Sequence, residues 1–223
     1  MIRRITLKTA ALLAALSIAI AAAEAHHPGH RLDEVMGSKE KYFQAVGKEA
    51  PAFTLKTADN KIVTLADFRG TVVVLQFIYA SCPDVCPLHA DLFARVQNMV
   101  NRTPMKSRVR FLSVTTDPKR DTAETLEAYG AAHGLDPANW AFLTKAPDAP
   151  EDATRRLAAR YGHKFTKVGE DYQSHGVVTH VIDRGGVWRA NFHGLRFDPL
   201  NLVLYINGLT HAAGPDKAPK GIE

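Results

Sequence analysis

From about Val46 to Leu209 the apolar positions fall into short unbroken runs alternating with longer periodic stretches. Residues 53–56 and 61–65 flank Thr57-Ala58-Asp59-Asn60, a turn-forming tetrad that predicts a β-hairpin. Residues 71–79 (TVVVLQFIY) are almost wholly apolar or β-branched, the pattern of a strand buried on both faces. Pro87 suits the first position of a helix, and Leu88, Leu92, Phe93, Val96, Met99 and Val100 recur at helical spacing to about Asn101. Residues 109–115 read as the next strand. Asp121-Thr122-Ala123-Glu124 resembles a capping box with Asp as the cap, opening a helix that Gly134 closes. Another helix is predicted from about Pro150 to Tyr161, stopped by Gly162. Residues 177–183 form a third core strand, which Arg184-Gly185-Gly186 turns into an antiparallel neighbour at 187–192; Asp198-Pro199 begins a last helix. That order predicts an α/β fold with a mixed central sheet, helices on its faces and an N-terminal β-hairpin, best matched by the thioredoxin-like fold.

The ends read differently. Arg3, Arg4 and Lys8 precede an Ala/Leu/Ile run at 9–22, and Ala23-Glu24-Ala25 supplies small residues for cleavage. The run is short of the roughly 20 residues of an easy membrane span. Residues 1–25 are therefore expected to be a signal peptide, and the protein exported to a periplasm; an uncleaved inner-membrane anchor is the rival. Residues 26–45 are expected to be a flexible lead-in, 46–209 one domain and 210–223 a flexible tail. Cleavage would reduce 28 basic and 23 acidic residues to 25 and 22, a net charge of +3. The excess is scattered, with no basic run to track phosphates, which argues against nucleic acid.

The chain has two cysteines, Cys82 and Cys86, in the segment YASCPDVCPLHA at 79–90. A disulfide there would close too small a loop to stabilise the chain much. Strand, loop and helix would deliver both thiols to the C-terminal end of a core strand, with a helix N-terminus favouring thiolate over thiol at each. The C-x-x-x-C spacing departs from the C-x-x-C redox motif and permits either a disulfide or a two-sulfur metal grip. Ten histidines offer a third ligand. His89 reads as a solvated helix face, His180 as a packed strand residue and His193 as an exposed loop residue. His175 sits in the loop before the third core strand, which in a thioredoxin-like sheet faces the cysteine loop. If cleavage falls after Ala25, His26 becomes the N-terminal residue with His27 and His30 close behind, a free amine and imidazoles that could capture a metal ion.

CPDVCP before a helix, then FLSVTTDPKRDTAETLEAYGAAHG, the Trp140-centred NWAFLT and a histidine before a VID strand together resemble the Sco/SenC family, over roughly residues 46–209. The resemblance implies a thioredoxin-fold copper protein of cytochrome c oxidase assembly, with Cys82, Cys86 and His175 as copper ligands. The family's usual Asp-His-Ser is here Ser174-His175-Gly176. Two thiolates and an imidazole suit Cu(I), whereas structural zinc ordinarily takes four protein ligands. The expected function is a metallochaperone carrying Cu(I) or Cu(II) to a cytochrome c oxidase subunit or another periplasmic copper chaperone. The alternative is a thiol–disulfide reductase acting on a copper-site protein, with the more exposed Cys82 attacking and Cys86 resolving. Peroxidase chemistry is disfavoured because Tyr79 stands where a peroxiredoxin-like Thr or Ser would precede Cys82.

Overall fold

The computed structural model describes residues 28–168 and 171–212, with the side chains of 28–30, 167–168 and 171–175 outside the described set. In chain order the elements are α1 (Pro28–Lys39), β1 (Phe43–Glu49), β2 (Thr54–Thr57), β3 (Ile62–Thr64), β4 (Val72–Ile78), α2 (Val85–Asn101) and β5 (Val109–Thr115). There follow α3 (Ala123–Ala132), β6 (Trp140–Lys145), α4 (Ala153–Arg160), β7 (Lys164–Val168), β8 (Asp171–His175), β9 (Val178–Ile182), β10 (Val187–His193) and α5 (Pro199–His211). The main sheet has eight strands in the order β1-β10-β9-β4-β5-β6-β2-β3, and β7 and β8 form a separate two-stranded sheet. β4, β5 and β6 run parallel, while β9 lies antiparallel to β4. The mixed sheet is the predicted one, and the 53–65 hairpin is β2–β3 at its edge.

All seven residues of β4 are buried, because its two faces serve two cores. Val72 and Val74 pack with Phe93, Val96, Phe111, Trp140, Phe192 and Tyr205 beneath α2 and α5. Val73, Leu75 and Phe77 pack with Leu112, Val114, Leu143, Leu157, Tyr161 and Trp188 on the side of α4. Period-two alternation thus divides one apolar run between two layers.

The described part of the expected loose lead-in, residues 28–45, instead forms α1 and the start of β1. The segment is too polar to show a strong pattern, but tertiary contacts hold it. Met36 is buried and Leu32 packs on the first core, four residues apart on one face of α1. Asp33 receives hydrogen bonds from Arg189 and from Tyr205 Oη. The Glu40 carboxylate accepts from the N–H groups of Tyr42 and Asp198 and from Asn201. β1 then adds to the outer edge of β10. The last helix continues to His211, beyond the expected start of the tail, while residues 1–27 and 213–223 lie outside the described set.

Candidate metal centre

β4 ends at Ile78 and α2 begins at Val85, so Cys82 lies in the intervening loop and Cys86 in the first helical turn. The helix starts two residues before the expected Pro87. Both cysteines are free and both are buried, at 5% and 8% exposure for Cys82 and Cys86 respectively, so Cys82 is not the more accessible one. The loop also does not favour thiolate at both positions. Burial pushes the Cys82 thiol up, but hydrogen bonds from the Asp84 and Cys86 N–H groups, the Cys86 thiol and the Tyr79 phenol outweigh it and bring it below its ordinary value. Cys86 is pushed up to about 12, chiefly by burial, with the nearby Cys82 and Asp121 charges adding to it. The pair therefore comprises one thiolate-prone sulfur and one that holds its proton.

The floor of the loop is the carboxylate of Asp121, a residue whose place in the sequence predicts a helix cap. Thr122 is the actual cap of α3, accepting from the Thr125 N–H. That one-residue shift turns Asp121 inward, where it is 2% exposed. Its two oxygens accept the Ala80 N–H at 3.2 and 3.1 Å, and one also accepts the Thr115 hydroxyl. Thr115 Oγ1 in turn accepts the Asp117 N–H at 2.9 Å. Burial, opposed by these bonds, holds the Asp121 carboxyl above the usual range. Two phenols complete the surroundings. Tyr79 is pushed up by burial and by its bond to Cys82. Tyr129 is pushed up by burial and then by the cysteine charges, and its Oη has no hydrogen-bond partner among the described residues.

The histidines are distributed by sheet topology. β4 and β9 pair antiparallel with Leu75 opposite His180, so the start of β9 lies at the end of β4 that carries the cysteines. His175 is the last residue of β8, opposite Lys164, rather than a loop residue; its side chain is outside the described set. Gly176 follows with φ +109°, a conformation open to glycine at little cost, and turns the chain into β9. The backbone of His175 is thus close in sequence to the start of β9, at the cysteine end of the sheet. His89 corrects the expectation of a solvated face: it is 3% exposed, its Nε2 lies 3.0 Å from Thr179 Oγ1, and burial lowers its pKa to about 3. Cys86, His89, Phe93, Val96 and Val100 form the inward stripe of α2, while Leu88 points out at 55% exposure. His180 is a buried strand residue as expected, bonded to His163 and Asn191. His193 closes β10 rather than sitting in a loop, exposed and 2.9 Å from Gln44 Oε1. His26 and His27 lie outside the described residues, as does the side chain of His30. Among the described residues, no three His, Cys, Asp or Glu side chains converge as a metal-binding group.

Fold and loop together define a thioredoxin-like α/β protein with an asymmetric dithiol at the end of a central strand. The SCO1/SenC family model matches residues 43–203, and the chain belongs to that family. The SCO1 protein homolog of Bacillus subtilis (strain 168) is 30% identical over 158 residues, 70% of this chain and 79% of that protein. The structure of BsSco, a member of the Sco family of cytochrome c oxidase assembly proteins in which a disulfide switch was identified, superimposes with a TM-score of 0.65 at 21% identity. It covers 75% of this chain and 96% of that one. Bradyrhizobium japonicum ScoI with copper bound superimposes with a TM-score of 0.59 at 22% identity, covering 72% of this chain and 99% of that one. Several mitochondrial relatives are longer, and the chain spans less than half of their length. No helix among the described residues is long and apolar enough to cross a membrane.

Proposed function

We propose that this protein is an exported copper metallochaperone that carries one copper ion on Cys82, Cys86 and His175 and delivers it to a cytochrome c oxidase subunit. The observation that carries the reading is the pair of free, hydrogen-bonded cysteines at the strand end. That donor set fits the cargo. Two soft sulfurs on a short proline-bounded loop suit Cu(I), and an imidazole adds the borderline donor that Cu(II) also accepts. Cys82 gives up its proton more easily than Cys86, and binding at the pair must release thiol protons, so uptake is expected to strengthen as pH rises. Family membership and the copper-bound ScoI relative support copper as cargo. The test is copper loading of the full chain, with metal analysis on wild type, Cys82→Ser, Cys86→Ser and His175→Ala. One copper per wild-type chain and a reduced copper content in each variant at equal loading is expected; unchanged copper across the set refutes the reading.

The sulfur asymmetry also favours a second reading, thiol–disulfide exchange. Cys82 thiolate would attack a disulfide sulfur in a target copper-site protein, forming a mixed disulfide and releasing one target thiolate. Cys86, losing its proton, would then attack the Cys82 sulfur, release the second target thiol and leave a Cys82–Cys86 disulfide. Two electrons pass to the target, and an external thiol reductant restores the pair. Trapping of a mixed disulfide by Cys86→Ser, with His175→Ala still active, would support this reading over the first.

A further inference from the structure

The β7–β8 hairpin carries His175 yet, among the described residues, shares no backbone ladder with the main sheet. A lone two-stranded hairpin is marginally stable in water, so its placement depends on its anchors to the rest of the fold: Phe165 of β7 packs on the second core, and the root carries the other. Register pairs Lys164 with His175 at the open end of the hairpin. The residue immediately before that pair is His163, which is 7% exposed. Its backbone N–H bonds Ala158 O at 3.0 Å, fixing the root to the end of α4. Its ring packs edge-on against Phe77 of β4, with centroids 5.0 Å apart. Its Nε2 lies 2.9 Å from Nε2 of His180 in β9, a bond from the hairpin root to the main sheet.

The direction of that bond follows from a neighbouring indole. Trp188 Nε1–H can only donate, and it lies 2.8 Å from Asn191 Oδ1, which identifies that atom as the oxygen. Asn191 Nδ2 accordingly donates to Gln44 Oε1 at 2.9 Å. His180 Nδ1, 2.8 Å from the same Asn191 oxygen, must then carry a proton and donate. In a neutral ring its Nε2 is left as an acceptor, so His163 Nε2–H donates to it. Burial keeps both rings neutral, lowering His163 to about 4 and His180 well below the usual range. Trp188, Asn191 and His180 thus present one oriented lone pair, and His163 is the donor that meets it.

We propose that His163 is a positioning residue for His175: its bond to His180 pins the root of the hairpin to the sheet and sets where His175 stands relative to Cys82 and Cys86. The inference rests on the reading of His175 as a copper ligand. A group bonded directly to a ligating imidazole typically changes metal affinity about 10–100-fold when replaced; His163 acts one step removed, through the hairpin backbone, so the expected loss is set at the low end, about tenfold.

The test compares two amides of different reach in the full chain. In His163→Gln the amide nitrogen can occupy the place of Nε2 and donate to His180. In His163→Asn it falls short. Each protein is titrated with Cu(II) against a competing chelator, and the nitrogen hyperfine pattern of bound Cu(II) is recorded by electron paramagnetic resonance. His163→Gln should match wild type, while His163→Asn should bind copper about tenfold more weakly with an altered nitrogen pattern. Copper binding and spectra equal to wild type in both variants overturn the proposal. So does an equal loss in both that tracks a fall in Tm, since that marks a merely structural role. If wild-type copper shows no histidine nitrogen that His175→Ala removes, the ligand reading falls first and takes this inference with it. A normal wild-type spectrum with an indifferent His163 defeats the positioning role alone.

Discussion

The two sulfurs should differ sharply in reactivity, and the structure gives the size of the difference. Exposure of 5% at Cys82 and 8% at Cys86 gives Cys82 no advantage in access, so any preference for it must be electrostatic. A thiol at about 12 holds about a thousandfold less thiolate at neutral pH than one at its ordinary value of 9.0, and Cys82 lies below that value. The more basic thiolate is the better nucleophile, with a Brønsted slope of about 0.4–0.5, which returns a factor of about 16–30. The net preference for Cys82 is therefore at least about 30-fold. The perturbation is limiting iodoacetamide on the reduced, metal-free protein at pH 7.5. The assay is fragmentation mass spectrometry, because both cysteines fall on the peptide between Arg69 and Arg95. Early label should lie almost entirely on Cys82. Equal labelling, or label first on Cys86, would refute the assignment of Cys82 as the thiolate and with it the attacking role in the exchange reading.

Two further outcomes follow from the surroundings of the loop. Asp121→Ala leaves the Ala80 N–H and the Thr115 hydroxyl without their acceptor; at about 1–3 kcal/mol for each orphaned donor the loss is about 2–6 kcal/mol, read as a lower urea midpoint, and an unchanged midpoint contradicts it. The buried histidines make stability depend on pH. His89 and His163 titrate at about 3 and about 4 when folded, against roughly 6.5 when unfolded. Between those limits the unfolded chain binds protons that the folded chain refuses, so stability falls as pH drops below about 6.5, by about 1.4 kcal/mol per pH unit for each histidine at full effect. Asp121, held above its usual range, opposes this at lower pH. Urea midpoints that do not move between pH 7 and pH 5 would show that these rings are not buried neutral.

What the sequence revealed and what it hid have separate physical causes. β4 and β5 were legible because continuous β-branched runs have few alternatives, and β9 and β10 because a Gly-Gly turn separates them. The hairpin β7–β8 was not, because KFTKV and DYQSH carry too few apolar residues for a period to show. α1 was missed for the same reason, since what holds it is Leu32 and Met36 on the first core and Asp33 meeting a partner over 150 residues away. His89 was misread through a choice of phase. A stripe started at Leu88 puts the histidine outside, whereas one started at Cys86 puts it in line with Phe93 and Val96, and only the latter faces the sheet. Asp121 was misread by a single residue in the cap, the least certain feature of any helix boundary. The cysteine loop itself was visible at once, but the opposite tendencies of its two sulfurs depend on burial and on the donors Tyr79, Asp84 and Cys86 that the folded loop and first turn of α2 aim at Cys82.

The central claim is the ligand set, and X-ray absorption at the copper edge tests it most directly. Copper-loaded wild type should show two sulfur scatterers and one imidazole, Cys82→Ser and Cys86→Ser should each lose one sulfur, and His175→Ala should lose the imidazole alone. A wild-type spectrum without two sulfurs, or an imidazole that survives in His175→Ala, would contradict the account.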